Sequence, residues 1–198
     1  MTKTKAKRIG IFGGTFNPPH VGHLIVAQHV CEQLKLDRVY FVPSYISPHK
    51  RKGEEKLALH RSRMVRAAIR NNPVFATSDE ELTRRGNSYT VDTLVAFHAQ
   101  FPGSRLFLII GADNYPEFHT WRNPLQILQL ATLVVMNRAD TKISVLKRSS
   151  RGKVRFVPVP KIDISSSQIR HIVRAGGSIR YLVPSEVEVY LQRHHLYR

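Results

Sequence analysis

His20 and His23 stand three residues apart behind the run Gly13-Gly14-Thr15-Phe16-Asn17-Pro18-Pro19. At that spacing two imidazoles project from one side of a first helical turn, where they can hold a metal or a phosphate oxygen. A zinc site needs three or four protein ligands. The first 31 residues contain no Asp or Glu, and the only cysteine, Cys31, falls on an apolar helical face, so no protein-held metal is expected. Phosphate suits the stretch better. Gly13 and Gly14 carry no Cβ to keep a ligand from the backbone, and a strand-to-helix junction offers free N–H groups and the positive end of a helix dipole. Pro18 and Pro19 fix φ and confine the residues before them, which delivers the histidines to a defined place. A pair of ordinary capping or core histidines is the alternative, and the glycines and prolines ahead of the pair argue against it.

The elements that must position these residues follow from periodicity. Arg8 to Phe12 reads as a buried strand, and Leu24, Ala27, Cys31 and Leu34 recur at helical steps. Val39 to Val42 is a second strand, followed by a loop from Ser44 to Glu55 whose Lys50 lies on the side where open parallel sheets bind ligands. Leu57 to Arg70 is predicted as a helix with Met64, Val65, Ala68 and Ile69 inward and its arginines on the opposite face. Val74 to Thr77 is a third strand, and Asp79-Glu80-Glu81 reads as a solvated acidic turn. Leu106 to Ile110, the most apolar run, predicts a central strand covered on both faces. It ends in Gly111-Ala112-Asp113, where a carboxylate can accept from ribose hydroxyls or cap a following helix. Trp121 and Arg122 precede a helix starting near Pro124, and Leu133 to Met136 is a fifth strand that delivers Asn137-Arg138. Val154 to Val157 and Lys161 to Ile164 bring the chain back to the site, and Ser165 with Gln168 has the spacing of a capping box for a helix closed by Gly176-Gly177. The alternation of strands and helices predicts a doubly wound parallel α/β sheet with its ligand at the carboxyl ends of the strands.

Gly13-Gly14-Thr15-Phe16-Asn17-Pro18-Pro19-His20-Val21-Gly22-His23 resembles the signature of the HxGH nucleotidylyltransferase superfamily, and its Thr-Phe-Asn-Pro form is most similar to bacterial nicotinate mononucleotide adenylyltransferases. Ser47-Pro48-His49-Lys50 resembles that family's Pro-Pro-His-Lys, with Ser47 for the first proline, and Ser88-Tyr89-Thr90-Val91-Asp92-Thr93-Leu94 resembles its Ser-Tyr-Thr-x-Asp-Thr-Leu. Ile164-Ser165-Ser166-Ser167-Gln168-Ile169-Arg170 resembles Ile-Ser-Ser-Thr-x-Ile-Arg, with Ser167 keeping the hydroxyl, and the likeness runs from about Arg8 to Leu191. His60-Arg61-Ser62-Arg63-Met64 also resembles a family motif, taken as mainly structural.

The resemblance implies a Rossmann-like nucleotidylyltransferase fold in a single domain. It implies adenylyl transfer from ATP to nicotinate mononucleotide, giving deamido-NAD and pyrophosphate in NAD biosynthesis. It implies that His20, His23, Lys50 and Arg170 act on the phosphates, and that Gly13, Gly14, Thr15, Phe16, Gly111, Asp113, Ser166 and Ser167 bind ATP. Ser88, Tyr89, Thr90, Trp121, Arg122 and Arg138 would bind nicotinate mononucleotide, with the tryptophan stacked on the pyridine ring. The acceptor phosphate is already anionic near neutral pH, so positioning and charge stabilisation can supply catalysis without a general base. Magnesium should travel with ATP, held by phosphate and water.

Length and composition bound the reading. The chain has 198 residues, 42% of them hydrophobic, which suits one domain over 1–198 with a substantial core, and residues 1–7 are expected to form a flexible basic tail. No apolar stretch is long enough to span a membrane, no signal core follows the N-terminal lysines, and one cysteine excludes an internal disulfide, so a cytoplasmic location is expected. The formal charge of +17 favours polyanionic partners. Charge alone supports a nucleic-acid-binding module, the rival from another class. Among enzymes the rivals are a dual-specificity adenylyltransferase and a phosphopantetheine adenylyltransferase, and Trp121 and the Ser88 to Leu94 motif count against the latter.

Overall fold

In the computed structural model, residues 6–47, 54–138 and 152–198 are described. The chain runs β1 (Arg8–Gly14), α1 (Val21–Gln33), β2 (Arg38–Pro43), α2 (Ala58–Ile69), β3 (Phe75–Thr77), α3 (Glu80–Arg84), α4 (Thr90–Gln100), β4 (Arg105–Gly111), α5 (Pro124–Leu130), β5 (Ala131–Arg138), β6 (Val154–Val159), α6 (Ser166–Arg174) and α7 (Ser185–Arg193). A 3-10 turn, Glu54–Leu57, leads into α2, and another, Phe118–Thr120, precedes Trp121.

The strands pair in the order β3-β2-β1-β4-β5-β6, every neighbouring pair parallel. Between β1 and β4 the order reverses, and a crevice opens there at the carboxyl ends. Side chains alternate across the sheet. Phe12, Phe41, Phe107, Ile109 and Val134 meet Ala27 and Val30 of α1 and Val65 and Ile69 of α2 on one face. Ile9, Ile11, Leu108, Leu133 and Val135 meet Val91, Leu94 and Phe97 of α4 and Ile127 of α5 on the other. This is the doubly wound arrangement that the alternating sequence predicts. Pro158 lies within β6, which runs two residues beyond Val157; β6 is an edge strand, where a missing N–H breaks no ladder.

A third cluster joins the C-terminal helices to α2. Met64 of α2 packs with Ile169 of α6, Val183, and Val187 and Leu191 of α7. Arg61, from the opposite side of the expected helix pattern, is also fully buried. Its guanidinium donates to the carbonyls of Thr15 at 2.8 Å, Ser44 at 2.5 Å and Tyr45 at 3.2 Å. The arginine face of α2 is therefore not uniformly solvated: Arg61 ties the loops after β1 and β2 together. The acidic turn is corrected likewise. Glu80–Arg84 is a short helix, and Glu81 is buried.

Candidate active site

The loop after β1 leads into α1 through His20, whose extended backbone makes it the N-cap. Three residues on, His23 Nδ1 accepts the His20 backbone N–H at 3.1 Å. That bond fixes the tautomer, because an accepting Nδ1 leaves the proton on Nε2. The two rings stack, with centroids 3.7 Å apart and planes 25° apart. Gly22 makes the stack possible, since a Cβ there would lie 3.0 Å from His20 Nδ1. Burial lowers the pKa of His20 to about 4. For His23, burial and then repulsion from His20 lower it to about 3. Both imidazoles are therefore neutral near pH 7.

Phe16, expected at the nucleotide, turns its ring into the core instead. It is buried, with its centroid 5.6 Å from Phe12 and 5.0 Å from His23. It packs against the histidine that lines the cavity. A Cβ on Gly14 would meet the Phe16 ring at 2.9 Å, so the glycine there also makes room for the protein's own side chain. Gly13 has nothing within 4 Å of its missing Cβ and keeps the loop open to a ligand.

A cavity of about 490 Å³ opens at these glycines. It is lined by Gly13, Gly14, Thr15 and His23 at one end and by Ser88, Tyr89, Thr90, Trp121 and Arg122 at the other, with Asp113 between them. Tyr89 is the N-cap of α4, and both it and Thr90, the first residue of the helix, line the cavity. Ser88 Oγ accepts the Tyr45 N–H at 2.8 Å and joins this wall to the loop after β2. Trp121 packs beside Phe118 at a centroid distance of 5.5 Å. Arg122 turns toward α4: its guanidinium lies 4.7 Å over the Tyr89 ring, and Nη1 stands 3.6 Å from Asp92 Oδ2. No α-helix starts at Asp113, so capping does not account for it. Its carboxylate folds over Gly111, where an added Cβ would come within 2.3 Å of Oδ1.

Ser166, Ser167 and Arg170 gather beside the histidine loop, outside the cavity lining. Ser165 caps α6 by accepting the Gln168 N–H at 3.1 Å. Ser166 Oγ donates to the Pro18 carbonyl at 2.8 Å, and Arg170 donates to the Asn17 carbonyl at 2.8 Å and to Ser167 Oγ at 3.1 Å. The helix start is thus clasped to the loop that carries the histidines. Lys50 lies outside the described residues, as does the Arg138 side chain, although the Arg138 backbone ends β5.

The cavity also includes Ser44, Ser47, Glu81, Asn114 and Thr120, which sequence reasoning did not select. Ser44 and Ser47 follow the carboxyl end of β2, and the strand-end rule could have found them. Glu81 carried no signal that separates it from Glu80. Its carboxylate accepts the Thr93 hydroxyl at 2.7 Å. Burial raises its pKa, while hydrogen bonds from Thr93 and Ser88 and the charges of Arg84 and Arg61 oppose the rise. Among the described residues no group of three or more His, Cys, Asp or Glu could hold a metal ion.

A parallel sheet with a glycine and histidine loop at its switch point is the architecture of an α/β protein that handles nucleotide phosphates. Residues 11–172 match the family model described as cytidylyltransferase-like. Relatives described as "probable nicotinate-nucleotide adenylyltransferase" include one from Lactiplantibacillus plantarum, 41% identical over all of this chain and 91% of its own length. Another, from Salinibacter ruber, is 40% identical over 96% of this chain and 97% of its own length. The chain therefore belongs to the cytidylyltransferase-like family and, within it, to the nicotinate-nucleotide adenylyltransferases. Its fold is shared by Plasmodium falciparum nicotinic acid mononucleotide adenylyltransferase complexed with NaAD, with a TM-score of 0.77 and 20% identity over 96% of this chain and 97% of that one. The same enzyme complexed with APC also gives a TM-score of 0.77, at 19% identity and the same coverage of both chains.

Proposed function

We propose that the chain, acting as one nucleotidylyltransferase domain, transfers the adenylyl group of ATP to nicotinate mononucleotide, releasing pyrophosphate and forming deamido-NAD. The observation that carries this reading is one cavity with two unlike ends: His23 and the Gly13 loop at one, Trp121, Arg122 and the start of α4 at the other. The first end suits a polyphosphate, and the second a flat, negatively substituted ring.

In this reading the mononucleotide phosphate attacks the α-phosphorus, and the bond to the β-phosphate oxygen breaks. His20 and His23 meet the α- and β-phosphates, His23 through Nε2–H, and Lys50 and Arg170 attend the triphosphate. Gly13, Gly14, Thr15, Gly111, Asp113, Ser166 and Ser167 hold ATP, with the Phe16 ring packed behind them, while Ser88, Tyr89, Thr90, Trp121, Arg122 and Arg138 receive the mononucleotide. A divalent cation accompanies ATP, and magnesium fits, because the loop from Gly13 to His23 offers no carboxylate and leaves the ion to phosphate and water. A cytoplasmic site of action belongs to the same reading. Among the described residues no helix is long and apolar enough to cross a membrane.

The test is pyrophosphate release from ATP and magnesium with nicotinate mononucleotide, phosphopantetheine or no acceptor. Release only with the mononucleotide is expected. Release only with phosphopantetheine, or none with either, would refute the reading.

A further inference from the structure

After α7 the chain turns back toward the histidine loop. His195 and Tyr197 both adopt left-handed backbone conformations, with φ of 48° and 68°, which non-glycine residues hold only when their surroundings enforce it. The Tyr197 ring packs against the cluster of Met64, Ile169, Val187 and Leu191. Its hydroxyl donates to Asn17 Oδ1, 180 residues away in the chain. Burial raises the phenol pKa, so the hydroxyl keeps the proton that it donates.

Asn17 and Pro18 thus receive three side chains from the C-terminal part of the chain: Tyr197 on the Asn17 amide, Arg170 on the Asn17 carbonyl and Ser166 on the Pro18 carbonyl. The three anchors differ in one respect. Arg170 and Ser166 sit at the start of α6, where an incoming triphosphate competes for their donors. Tyr197 is packed against the apolar cluster and is not among the residues that line the cavity. Its bond to Asn17 therefore needs no group that a triphosphate would engage.

We propose that Tyr197 is a positioning residue for adenylyl transfer: through Asn17 it holds the loop that carries His20 and His23 against the triphosphate without touching substrate. The proposal rests on the reading of that loop as the phosphate-binding element. Tyr197→Phe removes only the hydroxyl, and Asn17→Ala removes its acceptor from the loop side. Either change should lower kcat/KM for ATP roughly five- to thirtyfold, the effect of one lost hydrogen bond to a part-buried partner. KM for nicotinate mononucleotide should stay within about twofold, since that ligand's end of the cavity does not depend on the brace. The double variant should be little worse than either single one, because both remove the same contact.

An imidazole NMR spectrum of the ligand-free protein gives a readout independent of turnover. His20 and His23 resonances should move in Tyr197→Phe. ATP kinetics within about twofold of the wild type would overturn the proposal, as would equal losses for both substrates together with a lower melting temperature. If the wild type does not join ATP to nicotinate mononucleotide, the functional reading fails, and the spectrum alone decides: unmoved imidazole resonances in both variants overturn the brace, and moved ones support it.

Discussion

Replacing His23 by alanine removes two things at once, and the structure separates them. The ring presents Nε2–H to the cavity, and Nδ1 accepts the His20 N–H at 3.1 Å. Loss of a preorganised donor to developing charge typically costs about a hundred- to a thousandfold in rate, or about 3–4 kcal/mol of transition-state stabilisation. Loss of the acceptor at the helix start costs about 0.5–2 kcal/mol of stability. His23→Asn offers a side-chain oxygen for the His20 N–H but is too short to put a donor where Nε2 was. Both variants should therefore lose about a hundred- to a thousandfold in kcat/KM, while the melting temperature falls in His23→Ala and recovers partly in His23→Asn. Pyrophosphate release and thermal melts in parallel measure the two effects. The pH profile adds a sharper test. With free-enzyme pKa values of about 4 for His20 and about 3 for His23, neither imidazole changes charge between pH 5 and 8. Because kcat/KM reports the free enzyme, it should rise as the acceptor phosphate loses its second proton near pH 6 and then stay level. Turnover of folded His23→Ala within about tenfold of the wild type, or a kcat/KM that declines through pH 6.5, the ordinary imidazole value, would refute the reasoning.

Trp121→Ala should raise KM for nicotinate mononucleotide by about five- to a hundredfold, from the 1–3 kcal/mol typical of stacking on a ring, and leave KM for ATP nearly unchanged; equal changes for both substrates would contradict the stacking role. Arg61→Met leaves the carbonyls of Thr15, Ser44 and Tyr45 without that donor, at about 1–3 kcal/mol each. The melting temperature should fall by at least about 6 °C, and a fall below about 2 °C would show that the buried guanidinium is dispensable. His20 titrates near 6.5 when unfolded and about 4 when folded, so the unfolded chain binds more protons between those values. Its contribution to stability is complete above pH 6.5 and is lost as pH falls through 4. Chemical denaturation at pH 7.5 and 4.5 should show a larger loss for the wild type than for His20→Asn, and equal losses would contradict the buried, neutral assignment.

The sheet was legible because each strand announces itself by apolar content and each helix by its period, as in Leu106 to Ile110 and in Leu24, Ala27 and Cys31. Parallel pairing and ligands at strand ends then follow from the alternation. Side-chain direction within a motif was not legible. Phe16 belongs to a motif that implies a nucleotide, yet its backbone has φ of 49° and its ring turns into the core. Arg61 occupies a helical position that pattern assigns to solvent, and only the meeting of the loops after β1 and β2 supplies the carbonyls that pair it. Glu81 is buried because α3 packs under α4 through Thr93, a contact between separate elements with no local trace. The bond from Tyr197 to Asn17 joins opposite ends of the chain and leaves no periodic signal at either end.

The central claim concerns the acceptor, so selectivity between nicotinate and nicotinamide mononucleotide tests it most directly. The wall that would meet the ring substituent is made from Thr90 at the positive dipole end of α4 and from Arg122. Donors of this kind pair both oxygens of a carboxylate but leave an amide nitrogen facing another donor, at about 1–3 kcal/mol or roughly ten- to a hundredfold. The measurement is the ratio of kcat/KM for the two mononucleotides with ATP under identical conditions. A ratio of about ten or more in favour of nicotinate mononucleotide is expected. A ratio near one, or one favouring the amide, would contradict it.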